Sequence, residues 1–225
     1  SSRVMEKTAV NPGDICGVVF SSQAMSVTLV DHQGELLTPA SMIWMDNRAG
    51  QEAKLLMRRF GGPKIFEKLL GAKLTGNYLL PKHYWYKRNM PDLYQRTRAF
   101  LDQGAYLCLR ATGEWVCEWT HAASTGLFDL KTKRWNTMAF KLFGLDVNKY
   151  MQPVKSTDRI GGLTAKSAAE MGLLEGTPVF GGAIDAMAAG VGAGLSSAGD
   201  GVLILGTAGN LGILTDKRIK GRSGL

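Results

Sequence analysis

The 225-residue sequence lacks the features that mark several large classes of protein. Its three cysteines, Cys16, Cys108 and Cys117, are odd in number and form no C-x-x-C pair, which argues against a disulfide framework or zinc knuckle. No uncharged apolar run approaches the ~20 residues of a transmembrane helix, and residues 1–7 hold no signal-peptide core. With 45% hydrophobic and 20% charged residues, the chain is not of the disordered class. We expect a globular protein of the reducing cytoplasm, without a membrane partner.

The net charge of +8 comes from one segment. Residues 51–100 hold 11 lysines and arginines against 3 acids, and the rest of the chain sums to zero. Such an excess raises nucleic acid as a partner. However, these residues alternate with apolar positions of predicted helices, and no RNP, KH, helix-turn-helix or zinc motif is present. We therefore expect a solvated helical face and no nucleic-acid partner.

The pattern of apolar residues predicts a mixed α/β or α+β chain. Strands are predicted at residues 15–20 and 27–31, followed by a meander that returns through residues 36–37 towards 43–44. The predicted helices are residues 49–60, 63–70, 82–89, 92–98, 103–111, 134–143 and 164–171. In the Gly-rich part after residue 176, we expect a strand at 177–182, a helix at 186–193 and a hairpin at 201–215. A domain junction is predicted near residues 173–178.

Two features of the Gly-rich part are candidates for chemistry. Asp185 is the only ionisable residue between Glu175 and Asp200, and it follows an apolar strand. It is either a helix N-cap or a functional acid at the carboxyl end of a strand, where α/β proteins place their sites. The segment of residues 206–210, with its predicted turn at 207–210, either binds phosphate through backbone N–H groups and the Thr207 hydroxyl or is only a turn.

Short motifs follow one another along nearly the whole chain. They are residues 18–26 (VVFSSQAMS), 36–48 (LLTPASMIWMDNR), 75–77 (TGN), 81–85 (PKHYW), 111–114 (ATGE), 122–129 (AASTGLFD), 134–135 (RW), 181–185 (GGAID) and 206–209 (GTAG). In their order and spacing these motifs resemble the FGGY carbohydrate kinases, most of all the xylulokinase and gluconate kinase branch. The resemblance implies an actin/Hsp70-like (ribonuclease H-like) α/β sugar kinase fold.

The resemblance also implies an activity, which is the transfer of the ATP γ-phosphate to a hydroxyl of a sugar, polyol or sugar acid, with Mg²⁺ as a further cofactor. Asp185 is then the catalytic base. The implied substrate-binding residues are Gln23, Ala24, Met25, Trp44, Asp46 and Arg48. The implied ATP-phosphate residues are Gly206, Thr207, Ala208 and Gly209. Trp44 would pack on the carbon face of the sugar, whereas Asp46 and Arg48 either contact the substrate or brace their loop. No metal ligand from the protein is predicted.

The sequence departs from the family pattern in two respects. Ala24 and Met25 stand where the xylulokinase branch has Met-His, so a polar partner for a sugar hydroxyl is missing. We expect a substrate other than xylulose, or other polar contacts; a non-catalytic sugar- or nucleotide-binding member is the alternative. The family's opening D-x-G-T strand and its adenosine-binding lobe are also missing. We expect residues 1–175 to be part of the first lobe and residues 176–225 to begin the second, a fragment inactive alone, with a homodimer left open.

Overall fold

The computed structural model describes residues 2–59, 61–70, 74–205 and 209–216. The α-helices in these ranges are α1 (Ser2–Thr8), α2 (Gly50–Arg59), α3 (Pro63–Leu70), α4 (Leu79–Asn89), α5 (Pro91–Arg96), α6 (Gln103–Thr112), α7 (Trp119–Ser124), α8 (Thr137–Phe143), α9 (Ala165–Met171) and α10 (Asp185–Gly192). The strands are β1 (Val18–Ser22), β2 (Thr28–Val30), β3 (Ala99–Leu101), β4 (Val116–Glu118), β5 (Phe128–Asp129), β6 (Arg134–Trp135), β7 (Gln152–Val154), β8 (Arg159–Gly162), β9 (Pro178–Ile184), β10 (Gly201–Leu205) and β11 (Gly209–Ile213). None of the described helices is long and apolar enough to cross a membrane.

A three-stranded sheet joins parts of the chain that are far apart in sequence. Its strand order is β1-β9-β8, in which β9 runs parallel to β1 and antiparallel to β8. Ser22, the last residue of β1, lies opposite Ile184, the last residue of β9. Because the two strands run in the same direction, the chain segments that follow them leave the sheet at the same edge. The β9 strand follows residue 176, and the domain division at 175/176 stays a prediction.

A bulge interrupts β9 shortly before this edge. Between the pairs Val19–Phe180 and Ser21–Ala183, β9 contributes two glycines and β1 contributes only Phe20. Gly182 has a φ of +76°, and a Cβ at this position would lie 2.0 Å from the carbonyl oxygen of Phe20. Only glycine fits there. The extra residue shifts the alternation of side chains, so that Ile184 is buried and the next residue of the chain is exposed.

The described elements pack around three buried apolar clusters, of which two concern the surroundings of the sheet. The larger cluster joins α2, α4, α8 and β2 through side chains that include Leu29, Leu56 and Phe140. A smaller cluster packs α6 against β9, where Cys108 contacts the group that contains Leu163 and the fully buried Val179. The N-terminus of α6 is thereby fixed beside the end of β1.

The predicted meander after β2 is confirmed in part. The chain returns antiparallel to the β2 region, with bridges between Val30 and Leu36 and between Val27 and Met42. The strand that pairs with β2 over its whole length is instead β3, with Thr28 opposite Leu101 in an antiparallel pair. All three residues of β2 are buried, and the non-local β3 offers an apolar strand that the polar turn at residues 38–41 does not.

Two predicted helix boundaries have different outcomes. The helix predicted at residues 134–143 begins at Thr137, because β6 pairs with β5 and the side chain of Asn136 caps the helix at Ala139 N–H. The cap at Thr164 is confirmed: its hydroxyl accepts the N–H of Ser167, and Gly172 ends α9 with a left-handed conformation.

Most of the described basic residues in this segment face solvent, as predicted. The exposed ones are Lys54, Arg58, Arg59, Lys64, Arg88 and Arg96. Lys87 and Arg98 are partly buried, and Lys82 is fully buried in α4, at 0% exposure. The solvated-face prediction is therefore confirmed for the six exposed residues and wrong for Lys82.

The three cysteines differ in their surroundings. Cys16 is exposed just before β1, whereas Cys108 is buried and Cys117 is partly buried. Burial raises the pKa of the Cys108 thiol to about 12. Burial also raises the pKa of Cys117 well above its ordinary value, and the nearby carboxylates of Asp102 and Glu118 add to this rise. All three are unpaired, as the sequence predicts.

Candidate active site

The chain that leaves β1 forms a short loop, residues 22–26, which we call the sugar loop after the substrate-binding role that the family resemblance predicts for it. The Nε2 amide of Gln23 donates to Oε1 of Gln103 at 2.9 Å, and the backbone N–H of Gln103 donates to the Ser26 hydroxyl at 3.2 Å. Met25 has a φ of +57°, and its partly buried side chain packs against the larger apolar cluster. The N-terminus of α6 therefore holds this loop from one side, and the Met25 side chain helps to anchor it.

Lys82 holds the same loop from the other side. Its ammonium group donates to the carbonyl oxygen of Met25 at 2.9 Å and to that of Ile43 at 2.7 Å. Burial lowers the pKa of Lys82 to about 8, with the charge of Arg48 also lowering it and that of Asp46 raising it. One side chain thus connects the sugar loop to the segment that begins at Ile43.

That segment carries Trp44, Asp46 and Arg48. Trp44 is 43% exposed, so that its ring is available to a ligand. The Arg48 Nε lies 3.0 Å and 2.9 Å from the two Asp46 oxygens, and the Arg48 backbone N–H also donates to Asp46. The guanidinium lies over the ring of Trp85, 5.5 Å from its centre. This geometry is that of a brace, and contact with a substrate stays a prediction for both charged residues.

The ion pair between Asp46 and Arg48 shifts the pKa of Asp46. Partial burial raises the pKa of Asp46, but hydrogen bonds from Arg48 and its positive charge lower it more. The net pKa of Asp46 therefore lies below its ordinary value, and the carboxylate stays ionised at neutral pH. Because the Arg48 side chain is 54% exposed, the pair contributes little to folding and acts mainly on the shape of the segment.

Asp185 follows Ile184, the last residue of β9, which lies beside Ser22 at the same edge of the sheet. It is exposed and is the first residue of α10, where its Oδ1 accepts the N–H of Ala186 at 2.7 Å. The N-cap position belongs to Ile184, so Asp185 is not the N-cap. The N–H of Ile184 donates to the Thr120 hydroxyl at 3.0 Å, which fixes the strand end against α7. No ion pair within the described ranges occupies the Asp185 carboxylate.

The predicted phosphate turn lies mostly outside the described residues. Gly206, Thr207 and Ala208 fall in the gap between β10 and β11. Gly209 is the first residue of β11 and pairs with Leu205. A Cβ at Gly209 would meet no atom of the described residues within 4 Å. The hairpin itself is confirmed, and the phosphate-binding role of its turn stays a prediction.

Several residues at this site escaped the sequence analysis. Ser22, Asp102 and His121 come together at the end of β1, although 80 or more residues separate Ser22 from the other two. No local pattern could have found them. Lys82 could have been suspected, because it is a charged residue in a stretch of α4 that is otherwise apolar or aromatic.

Replacing Lys82 by methionine tests its connecting role. Lys82→Met leaves the carbonyl groups of Met25 and Ile43 without their donor, and we expect the free energy of unfolding to fall by about 2–3 kcal/mol. Chemical denaturation at pH 7 measures this change. Lys87→Met is the matched control on the same helix: its ammonium group is only partly buried and donates to Gly144 alone, so a loss below about 1 kcal/mol is expected. Equal losses in both variants would contradict the connecting role.

The lowered pKa of Lys82 gives a second readout. Between about pH 8 and the ordinary lysine value of 10.5, the unfolded chain binds a proton that the folded chain does not. The contribution of Lys82 to stability therefore rises with pH in this window. We expect the stability difference between the unmodified chain and Lys82→Met to grow between pH 8 and pH 10. A difference that stays constant would show that the pKa is not lowered.

Comparisons with known proteins agree with this geometry. The structure superposes on the xylulose kinase from Rhodospirillum rubrum with a TM-score of 0.84 and 26% identity, covering 91% of this chain and 42% of that one. The xylulose kinase of Bacillus subtilis (strain 168) is 30% identical over 200 residues, which are 89% of this chain and 40% of the relative. The gluconokinase of the same organism is 24% identical over 200 residues. The chain thus spans about two fifths of the length of these relatives.

These likenesses and the parallel β1–β9 sheet define the chain as part of an actin-like sugar kinase fold. The sequence model of the N-terminal domain of the FGGY family of carbohydrate kinases matches residues 1–192. The chain therefore belongs to the FGGY family of carbohydrate kinases.

Proposed function

We propose that these residues form the sugar-binding side and supply the general base of a kinase that phosphorylates a hydroxyl of a sugar, polyol or sugar acid. One observation carries this proposal. The sugar loop and Asp185 follow strands that run parallel, with Ser22 opposite Ile184, so both emerge at one edge of the sheet. A substrate held by the loop would present its hydroxyl to an exposed carboxylate.

The surroundings of Asp185 suit a general base. Phosphoryl transfer depends mostly on positioning and electrostatics, and a carboxylate that accepts the proton of the attacking hydroxyl orients that nucleophile. Asp185 is exposed, and among the described residues its carboxylate is bonded only to the adjacent Ala186 N–H, so it has lone pairs left for this proton. The exposed ring of Trp44 offers an apolar surface to the carbon face of a sugar, and the Gln23 amide offers polar groups.

ATP would supply the transferred phosphoryl group. The residues of this chain indicate how many protein ligands a Mg²⁺ ion could have. The described ranges contain no group of three or more His, Cys, Asp or Glu side chains that could hold a metal ion. Magnesium bound to substrate phosphates needs only one or two protein carboxylates and keeps several waters, so this composition fits a nucleotide-bound Mg²⁺.

The substrate that we propose is pentulose-like or gluconate-like, since relatives include proteins named xylulose kinase and gluconokinase. Ala24 and Met25 offer no side-chain hydrogen bond, and the Met25 side chain packs against the apolar cluster. Polar recognition by the sugar loop would then come from Gln23. This arrangement favours a substrate other than xylulose.

The test is phosphorylation by the complete kinase that carries this chain, with a panel of ketoses, polyols and aldonic acids, followed by ADP release. We expect turnover with one class, and a loss of about a thousandfold in Asp185→Asn. Sugar binding by calorimetry without ADP release would instead support a non-catalytic sugar-binding member. Undiminished turnover in Asp185→Asn would remove Asp185 as the base.

Two further parts of the proposal concern the chain's setting. The 225 residues cover 40% of the length of their xylulose kinase relative, and we propose that they do not catalyse by themselves. Incubation of the isolated chain with ATP and the preferred sugar should release no ADP. Three unpaired cysteines favour the reducing cytoplasm as the compartment.

A further inference from the structure

Three polar side chains form a buried chain behind the sugar loop. The Ser22 hydroxyl lies 3.2 Å from Nε2 of His121, and Nδ1 of His121 lies 3.4 Å from Oδ1 of Asp102. All three residues are buried, with exposures of 8%, 3% and 7% respectively. They come from β1, α7 and the N-cap of α6, so the chain crosses three elements that meet at the sheet edge.

One hydrogen bond and one electrostatic contact join these side chains. The Asp102 Oδ1 accepts the N–H of Ala105 at 2.9 Å, which holds the carboxylate in place. Nδ1 of His121 faces this carboxylate without a hydrogen bond, so that contact is electrostatic. The hydrogen bond between the Ser22 hydroxyl and Nε2 of His121 links β1 directly to α7.

The group of Asp102, His121 and Ser22 lies next to the proposed base, Asp185. Ser22 lies opposite Ile184, the residue before Asp185, and the Ile184 N–H is held by Thr120, the neighbour of His121. The α7 helix therefore holds both strand ends, through His121 at Ser22 and through Thr120 at Ile184. A Cβ added at Gly104 would lie 2.9 Å from the Ser22 hydroxyl and 3.5 Å from Nε2 of His121, so little space is left for another arrangement.

The same residue types form the nucleophilic triad of many hydrolases. A nucleophile must be reachable by its substrate, and Ser22 is buried in the sheet edge. Its backbone leads directly into Gln23, which faces Gln103. This arrangement can therefore control the position of the sugar loop, but it cannot act as a nucleophile.

We propose that Asp102, His121 and Ser22 are positioning residues that set the sugar loop relative to Asp185. The inference rests on the proposed kinase function, in which the loop carries the substrate hydroxyl. When the hydrogen bond between Ser22 and His121 is removed, the sugar loop and Asp185 lose their common anchor on α7. The substrate hydroxyl is then misaligned relative to the Asp185 carboxylate. Misplacement of about 1 Å can cost about 100-fold in rate, so turnover is affected more than folding.

Ser22→Ala in the complete kinase is the test, with Ser167→Ala as the matched control. Ser167 has the same 8% exposure, and its hydroxyl donates to Arg110 O at 2.8 Å and accepts from Thr164, away from the sugar loop. We expect similar changes in the thermal midpoint for both variants. At saturating sugar, kcat should fall about 10- to 100-fold in Ser22→Ala and stay within about twofold in Ser167→Ala.

Two substitutions at His121 separate positioning from simple packing. His121→Gln keeps a polar group near the Nε2 position and should retain more kcat than His121→Leu. Adding Ser22→Ala to His121→Leu should cause little further loss, because the bond is already broken. Equal kcat for Ser22→Ala and Ser167→Ala, or losses that multiply in the double variant, would overturn the proposal.

Amide hydrogen exchange makes this test independent of turnover. Residues 23–26 should exchange faster in Ser22→Ala than in Ser167→Ala, even in the absence of sugar. Absence of sugar phosphorylation by the unmodified kinase would refute the proposed function, whereas unchanged exchange in Ser22→Ala would refute the positioning chain. The two failures are therefore distinguishable.

Discussion

Asp185→Asn in the complete kinase is expected to lower kcat by about a thousandfold, with little change in the KM for the sugar. General base catalysis contributes about 10²- to 10⁴-fold, and the amide cannot take the proton of the attacking hydroxyl. The fold should tolerate the change, because Asp185 is exposed and accepts only the N–H of its neighbour Ala186, a bond that the amide oxygen can replace. Steady-state kinetics with the best substrate of the panel measures the effect.

Asp129→Asn serves as its matched control. This carboxylate also accepts backbone N–H groups, from Lys131 at 2.8 Å and Thr132 at 3.2 Å, in the turn between β5 and β6. We expect turnover within about twofold of the unmodified kinase, because surface changes away from special features have small effects. A large loss in both variants would show that the Asp185 result reports general damage rather than proton transfer.

Gly182→Ala is expected to cost about 4 kcal/mol of folding free energy. A Cβ would lie 2.0 Å from the Phe20 carbonyl oxygen, and the φ of +76° strains any L side chain. Left-handed strain costs about 1–3 kcal/mol, and overpacking a tight contact costs about 1–3 kcal/mol more. Urea denaturation of the isolated chain measures the loss directly.

Gly201→Ala tests whether the cost belongs to the bulge. Gly201 is the exposed first residue of β10, and a Cβ there would meet only the Gly212 carbonyl oxygen, at an ordinary 3.7 Å. A change of less than about 1 kcal/mol is expected in this variant. If both alanines destabilise equally, the bulge is not what requires glycine at position 182.

The sequence was informative where a residue contrasts with its own neighbours. Asp185 was identified because it is the lone charge of an apolar stretch, and the structure puts it at a strand end. The helix capped by Thr164 was predicted because a cap is a local interaction. Such features depend on a few consecutive residues, and their physics is visible in the order of the chain.

Features that depend on distant partners could not be predicted in this way. The sequence predicts the local return of the chain beside β2, but the pairing of β2 with β3 spans about 70 residues and has no local signal. The contact between Ser22 and His121 spans 99 positions. The burial of Lys82 depends on two carbonyl groups from separate loops, neither of which has a side-chain signature.

The unequal surroundings of the cysteines make this chain a convenient substrate for thiol chemistry. Maleimide reacts with thiolates, and burial keeps the thiols of Cys108 and Cys117 protonated at neutral pH. Cys16 alone is exposed, two residues before β1. A single dye can therefore be attached without mutagenesis beside β1, and a change in its emission when sugars are added would test the proposed binding.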